Sequence, residues 1–394
     1  MACQKMPPES STFPGKVCPT PAFSFGEVQA VMKRFLFVLS LASAIGLCTV
    51  GRADELDLNV KKAVDKGLDW LAKNQNRDGH WEASGGQYAP AMTGMAGMAL
   101  LMEGSTTREG KYANNLRKAR DWFISHCQPN GLLCKPGGIE AGRYMHGHGY
   151  GLLFMASVYG DEEDDGNRQK LEDVLTRAVQ FTSKAQTTAG GWGYVSSVDG
   201  GDFAEGSVTI TQMQALRAAR NAGIVVPKET IDKATKYLID KCTFPDGQVG
   251  YLPGRRAISP GLTAAGIACL FSAGDYQNPA VKKWLGYAAK NIAPLSGGAG
   301  RQGHDEYTHY YYAQCLYFLG DDGYSRFFPN DKASDKPTWS AYRKPTFATL
   351  VRAQSSDGSW AGQSNWSHIG PVYVTAVYLT ILQLDKGTLP IYMR

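Results

Sequence analysis

Gln75-Asn76-Arg77-Asp78-Gly79-His80-Trp81 has the form Q-x3-G-x-W, and it is not alone. Gln186 to Gly190 with Trp192, and Gln354 to Gly358 with Trp360, repeat it. Weaker copies lie in register between them: Cys127, Gly131 and Leu133; Thr243, Gly247 and Val249; Ala293, Gly297 and Ala299. The pivotal glycines are 52, 59, 57, 50 and 61 residues apart, so one unit of about 56 residues runs six times. Self-similarity at a fixed period is the signature of a repeat architecture.

Each glycine turn lies between two helical patterns. Before it comes an amphipathic stripe, as in Val60, Ala63, Val64, Leu68 and Leu71, or Ile231, Ala234, Leu238 and Cys242. Asn278-Pro279 supplies an N-cap and a first-turn proline for the fifth such helix. After the turn comes a helix of another kind. Residues 259–273 and 369–384 contain no Asp, Glu, Lys or Arg, and 88–104 contains only Glu103. Helices apolar all round, yet rich in glycine and spotted with polar residues, belong in a protein interior. Six pairs of one exposed and one buried helix predict an all-α fold, an (α/α)6 toroid with six outer and six inner helices. An open superhelix needs polar terminal caps, whereas the sixth inner helix is among the most apolar, so closure is expected.

The remaining composition narrows the partners. The chain has 394 residues, a formal charge of +5 and no dense Lys/Arg block, which argues against nucleic acid. Residues 1–31 are polar and proline-bearing and read as an over-extended start. From Met32, Lys33 and Arg34 precede an apolar run, Phe35 to Val50, and the small-x-small Gly51-Arg52-Ala53. That order is the order of a secretory signal peptide over 32–53, leaving one domain over 54–394. The run is shorter than the roughly twenty residues that span a bilayer, so cleavage is preferred to an anchor. Periplasmic or extracellular export is the expectation, with an uncleaved membrane anchor as the alternative and association with a membrane surface as a further option. Five cysteines remain after cleavage; Cys127 and Cys134 either pair or, like Cys242, Cys269 and Cys315, pack as small buried hydrophobes.

The motif after an outer helix, six times in the part following the signal, resembles the prenyltransferase and squalene–hopene cyclase repeat superfamily. The resemblance implies the same toroid, with each Gln capping a helix end and each Trp stacking between repeats. Gln75, Trp81, Gln186, Trp192, Gln354 and Trp360 are then structural staples.

It also implies a chemistry to look for. Class II cyclases of this superfamily protonate an alkene with an Asp of a D-x-D-D motif, which is absent here. The acidic run Asp161 to Asp165 reads as a solvated loop. Asp202-Phe203-Ala204-Glu205, opening the third inner helix, keeps two acids as candidate catalysts. Related prenyltransferases hold zinc with an Asp-x-Cys pair and a later His. Asp305 to Tyr312 is similar to the His-bearing segment, and Arg255 to the diphosphate-binding kind, but the Asp-x-Cys pair is missing. No metal or other cofactor is expected. His146 and His148, two apart on a helix, point to different faces and make a poor metal pair.

Counting back eleven residues from the glycine that closes each inner helix gives Thr93, Gly149 beside His148, Gln212, Thr263 and His309, with Thr375 at a similar place. These polar groups either line a cavity or bond helix to helix. Two functions stand at this point. One is an exported cyclase- or transferase-like enzyme acting on a polyisoprenoid or other hydrophobic ligand in a central cavity. Its catalytic candidates are Asp202, Glu205, His148 and His309; Arg255, Tyr307, Tyr311, Tyr312, Gln212 and Thr263 are its binding candidates. The other is a non-catalytic toroid that binds or scaffolds. N-terminal sequencing of the protein recovered from its native host checks the leader, with a start near Asp54 expected.

Overall fold

The computed structural model describes residues 55–134, 136–272, 274–295, 305–362 and 367–393. The expectations for 1–31 and 32–53, and those for Gly297 and Ala299, lie outside these residues. The helices come in pairs: α1 (55–73) with α2 (Ala89–Leu101), α3 (Ala113–His126) with α4 (Met145–Gly160), and α5 (Asp165–Lys184) with α6 (Gly206–Asn221). Then follow α7 (Lys228–Lys236, continued by a π turn Tyr237–Lys241) with α8 (Gly261–Ser272), α9 (Pro279–Asn291) with α10 (Asp305–Leu319), and α11 (Trp339–Ala353) with α12 (Pro371–Gln383). Extended pairing among the described residues amounts to isolated bridges, such as Thr243 with Val249. None of their helices is long and apolar enough to cross a membrane.

The even-numbered helices form the inner ring. Each packs on the next, and α12 returns to α2, so the ring closes. The odd-numbered helices lie outside, turning apolar stripes such as Val60, Ala63, Val64, Leu68 and Leu71 inward. Asn278 Oδ1 accepts the Ala280 N–H at 3.0 Å, the expected cap of α9.

The glycine turn is what joins one repeat to the next. Gly79, Gly131, Gly190, Gly247 and Gly358 have φ of 107°, 94°, 101°, 96° and 98°, a region that favours glycine. A Cβ on any of them would lie 2.3, 2.1, 2.6, 2.4 or 2.5 Å from a main-chain oxygen of the following outer helix: Lys118, Arg177, Lys233, Lys283 or Lys66. Neither the backbone torsion nor the gap admits a side chain.

The glutamine spans the same gap. Gln75 Nε2 donates to Gly79 O (2.8 Å) and to Asn115 O of α3 (2.9 Å). Gln186 Nε2 does so to Gly190 O (2.7 Å) and Thr230 O (2.8 Å). Gln354 Nε2 donates to Gly358 O (2.9 Å) and Ala63 O (2.8 Å), joining the sixth repeat to the first. The helix ends, which glutamine was expected to cap, are satisfied by tryptophan. Nε1 of Trp81, Trp192 and Trp360 donates to Leu71 O (2.8 Å), Thr182 O (2.7 Å) and Leu350 O (2.8 Å) near the end of its own outer helix. The Trp360 ring also lies against Gly67 of α1.

The decayed repeats found substitutes. Arg177 Nη1 donates to Gln128 O at 2.9 Å and to Cys127 Sγ at 3.3 Å. Trp284 Nε1 donates to Thr243 Oγ1, which donates to Leu238 O. The run Asp161–Asp165 is exposed as expected except at Glu162, which is buried against Arg120, 2.8 Å away, and Asp164 caps α5. Removing one partner of such a pair strands a buried charge. All five described cysteines are thiols, and Cys134, Cys242, Cys269 and Cys315 are buried. Replacing Trp81, Trp192 or Trp360 with Ala is expected to lower stability by about 3–5 kcal/mol in urea denaturation, the range for a large buried aromatic.

Candidate functional site

The polar residues recurring along the inner helices have a common task. Oγ1 of Thr93, Thr209, Thr263 and Thr375 accepts the backbone N–H of Trp81, Trp192, Val249 and Trp360, each at 2.9–3.0 Å. In the second repeat His148 Nδ1 takes that place, accepting the Leu133 N–H at 3.2 Å. Its Nε2 then donates to Thr182 Oγ1 at 2.8 Å, and burial pushes its pKa down to about 3. His148 is a neutral fastener of the turn, not an acid or base. Thr263 is likewise a fastener, and the third-repeat member is Thr209, one turn before the expected Gln212. Gln212 is buried and donates to Met145 O at 2.8 Å. His309 meets Tyr342 of α11 at 2.9 Å, and the Tyr312 ring meets the Tyr342 ring edge-on, so both face the outer ring.

Aromatic and amide side chains of the inner helices meet inside the ring. Tyr307 and Tyr311 pack edge to face at 4.9 Å, and so do Tyr310 and Tyr311. From α4, on the opposite side, Tyr150 lies close enough to affect the ionisation of all three, and burial pushes every one of these phenols up. Gln214 of α6 donates to Gln314 of α10 at 3.2 Å across the ring, and Tyr310 meets Tyr392 of the C-terminal turn at 3.1 Å.

What remains is the end of the ring where the inner helices begin. Asp202 does not face inward as expected: it is exposed, takes the N–H of Thr188 at 2.7 Å and its hydroxyl as well, and is held below its ordinary value by them. Arg255 lies on the exposed loop ahead of α8, not on the helix, with its guanidinium 5.6 Å from the centre of the Tyr251 ring.

Glu205 is the acid that is buried, at 0% exposure. It opens α6, accepting the N–H of Ser207 (2.8 Å) and of Val208 (2.7 Å) and the Ser207 hydroxyl (2.7 Å). Burial outweighs these donors and pushes its pKa up to about 7. Ser207 Oγ is 3.2 Å from His146 Nε2, which is itself 4.0 Å from Glu205 Oε1. Burial, then the Arg143 charge, pushes His146 down to about 4, while 28% of its side chain still meets solvent. The structure therefore links a carboxyl poised near neutrality to a partly exposed imidazole through one hydroxyl. Cys242, Tyr237, Tyr251 and Tyr307 complete the surroundings of Glu205. Among the described residues no three His, Cys, Asp or Glu side chains converge to hold a metal.

The sequence does not announce the pairing of His146 with Ser207, because the two lie 61 positions apart and His146 stands out only beside His148 as a metal-ligand spacing. Nor does it announce Tyr194 and Tyr251, although both stand four residues after a pivotal glycine. Both loops are pinned to the ring: Met145 N–H donates to Tyr194 O at 3.0 Å and Gly206 N–H to Tyr251 O at 2.8 Å.

No protein-family model matches the chain, and no curated protein does. Solved structures do. A variant of type II terpene cyclase MstE from Scytonema, in complex with merosterolic acid A, aligns with a TM-score of 0.55 at 14% identity, over 85% of this chain and 98% of that one. The α-1,6-mannanase GH76A of Salegentibacter aligns with 0.57 at 10% identity, over 84% and 99%. Hormoconis resinae glucoamylase aligns with 0.54 at 12% identity, over 85% and 74%. The likeness is one of fold: this chain is an α/α toroid, as its repeats and its resemblance to the terpenoid-cyclase and prenyltransferase superfamily implied. Fold of itself names no reaction.

Glu205 makes stability depend on pH. Its folded pKa stands above its ordinary 4.5, so the protonated form is the one the fold favours. That contribution is complete below about 4.5 and is lost as pH rises through about 7. Urea denaturation of Glu205→Gln is expected to show the variant gaining on the parent by roughly 2–4 kcal/mol from pH 4.5 to 8. A difference that does not change with pH would mean that Glu205 titrates in the fold as it does in the unfolded chain.

Proposed function

We propose that this toroid is an enzyme working at the mouth of its inner ring, with Glu205 and His146 as its acid–base pair and a hydrophobic molecule as substrate. The observation that carries the reading is the hydrogen-bonded run from Glu205 through Ser207 to His146. An acid or base is most effective with a pKa near the working pH, and Glu205 is placed there by burial. Because Glu205 is closed off from solvent, a proton passes to or from a bound molecule by way of Ser207 and the exposed edge of His146. As the Ser207 hydroxyl gives its proton to one neighbour it takes another from the opposite one, so the chain conserves protons.

A carboxyl near 7 suits transfer to oxygen, or to carbon beside a carbonyl. Protonating an alkene needs a far stronger acid, and the D-x-D-D motif is missing. Prenyl transfer lacks the Asp-x-Cys zinc pair in the same way. The hydrophobic substrate is supported by the terpene cyclase neighbours, whose structures hold geranylgeranyl dihydroxybenzoate and merosterolic acid A. Export, with the leader at 32–53 removed, is part of the proposal and is supported by the charged, apolar and small-residue order of that segment.

A second reading, a toroid that binds its ligand without converting it, draws on the fact that Glu205 is also the N-cap of α6. One experiment separates them. Prenyl-type acids and their esters are incubated with the protein and products are followed by mass spectrometry. Turnover by the parent, reduced about a hundredfold or more in Glu205→Gln and in His146→Asn while both variants stay folded at the assay temperature, supports the enzyme. Binding by the parent without turnover leaves the binding toroid.

A further inference from the structure

Beside His146 the mouth carries a platform built by the third and fourth repeats. The Tyr194 ring is 5.9 Å from that of His146 and 6.4 Å from that of Phe203, and its hydroxyl is hydrogen-bonded to the hydroxyl of Tyr251. Arg143 and Arg255 flank this pair, with guanidinium carbons 5.7 Å and 5.6 Å from the ring centres of Tyr194 and Tyr251. Phe203 is 44% exposed and Ile258, three residues beyond Arg255, is 90% exposed.

Two features tell what such a surface receives. The first is charge. No ion pair holds Arg143 or Arg255 among the described residues, and three acids of the adjoining loops are engaged elsewhere; Glu140, three residues before Arg143, is partly buried, and burial pushes its carboxyl up toward the neutral form. Asp199 takes the Tyr144 hydroxyl at 2.5 Å, Asp202 takes Thr188, and Glu205 takes the start of α6. Arg256, next in sequence, shows the contrast: it is paired with Asp246 at 2.8 Å and points to Phe244. The second is shape. Two phenol rings tied to each other, with Phe203 alongside, give a continuous aromatic face, and guanidinium groups over aromatic rings keep their N–H edges turned outward for an anion.

We infer that this platform receives an amphiphilic organic acid, its anionic head between Arg143 and Arg255 and its apolar tail along Tyr194, Phe203 and Ile258. The proposal rests on the reading that the chemistry takes place at the mouth, and it narrows the substrate from hydrophobic to hydrophobic and anionic. It also accounts for the neighbourhood of His146. An acid so held has its carboxyl end beside the imidazole.

The test is binding, read by calorimetry below the micelle concentration. The probes are geranylgeranoic acid and geranylgeraniol, which share a tail and differ in charge. The acid is expected to bind about tenfold or more tightly than the alcohol, with the preference weakened by salt. Arg143→Gln and Arg255→Gln should each reduce it and together abolish it, whereas Arg256→Gln leaves it intact. Equal binding of acid and alcohol by the parent, or a preference that survives in the double variant, overturns the proposal. Phosphatidylglycerol vesicles form a further arm: retention on vesicles through the two arginines, without binding of the free acid, makes the platform a membrane contact and refutes the single-molecule ligand. Glu205→Gln is included for separation. If it keeps the preference and also keeps turnover, the acid–base reading falls and the anion platform stands; if turnover follows Glu205 but no preference for the acid exists, the platform alone falls.

Discussion

The contact on which the rest depends is the bare main-chain approach at Gly79, Gly131, Gly190, Gly247 and Gly358. There the turn comes so close to a carbonyl of the following outer helix that a Cβ cannot be fitted. A glutamine amide then donates to both sides of the junction at once, as Gln354 does to Gly358 and Ala63. Two buried acceptors are satisfied by one side chain, and the geometry between repeats is set by hydrogen-bond lengths of 2.7–2.9 Å, which tolerate little slack. Repeated around the molecule, the same angle brings the sixth unit back onto the first.

That joint also decides where a site can exist. The residues that accept the N–H beyond each glycine must be polar and must lie one to two turns into the inner helices, so the polar level inside the ring belongs to the scaffold. His148 shows how strong the demand is. In a repeat that has lost its Gln and Trp, a histidine does the work of a threonine and is held neutral for it. With the fasteners inside the barrel wall, the proposed site lies at the mouth, where the loops after Trp192 and Val249 are pinned by the first turns of α4 and α6. There the positive end of a helix and the loss of solvent act on one carboxyl in opposite directions, and at Glu205 the loss of solvent prevails.

The fold was legible in the sequence because its determinants are local and repeated. A glycine with a positive φ, an amide four residues before it and an indole two residues after it recur at a fixed period. The apolar and amphipathic helices alternate with the same period, which is why the six pairs, the closure and the inner helix boundaries followed from residue types alone. The decayed copies were legible for the same reason, but the substitutes that repair them were not. Arg177 reaches Gln128 from 49 residues away, and no pattern within a repeat announces it.

The site was legible only in outline. Glu205 was a candidate because two acids open the third inner helix. Which of the two is buried depends on a loop that turns Asp202 outward to Thr188 while Glu205 N–H is drawn to Trp192 O at 2.9 Å. Counting eleven residues back from a glycine found Thr93, Thr263 and the neighbour of His148, yet it could not distinguish a cavity lining from a fastener, since both need a polar group facing away from lipid-like surroundings. Repeat, ring and helix polarity follow from the order of residues. The pairing of His146 with Ser207, 61 positions away, and of Tyr194 with Tyr251, 57 away, follows from the angle at which the glycine joints set one unit beside the next. That angle is a property of the closed ring, because only there does each joint's small rotation have to sum to a full turn.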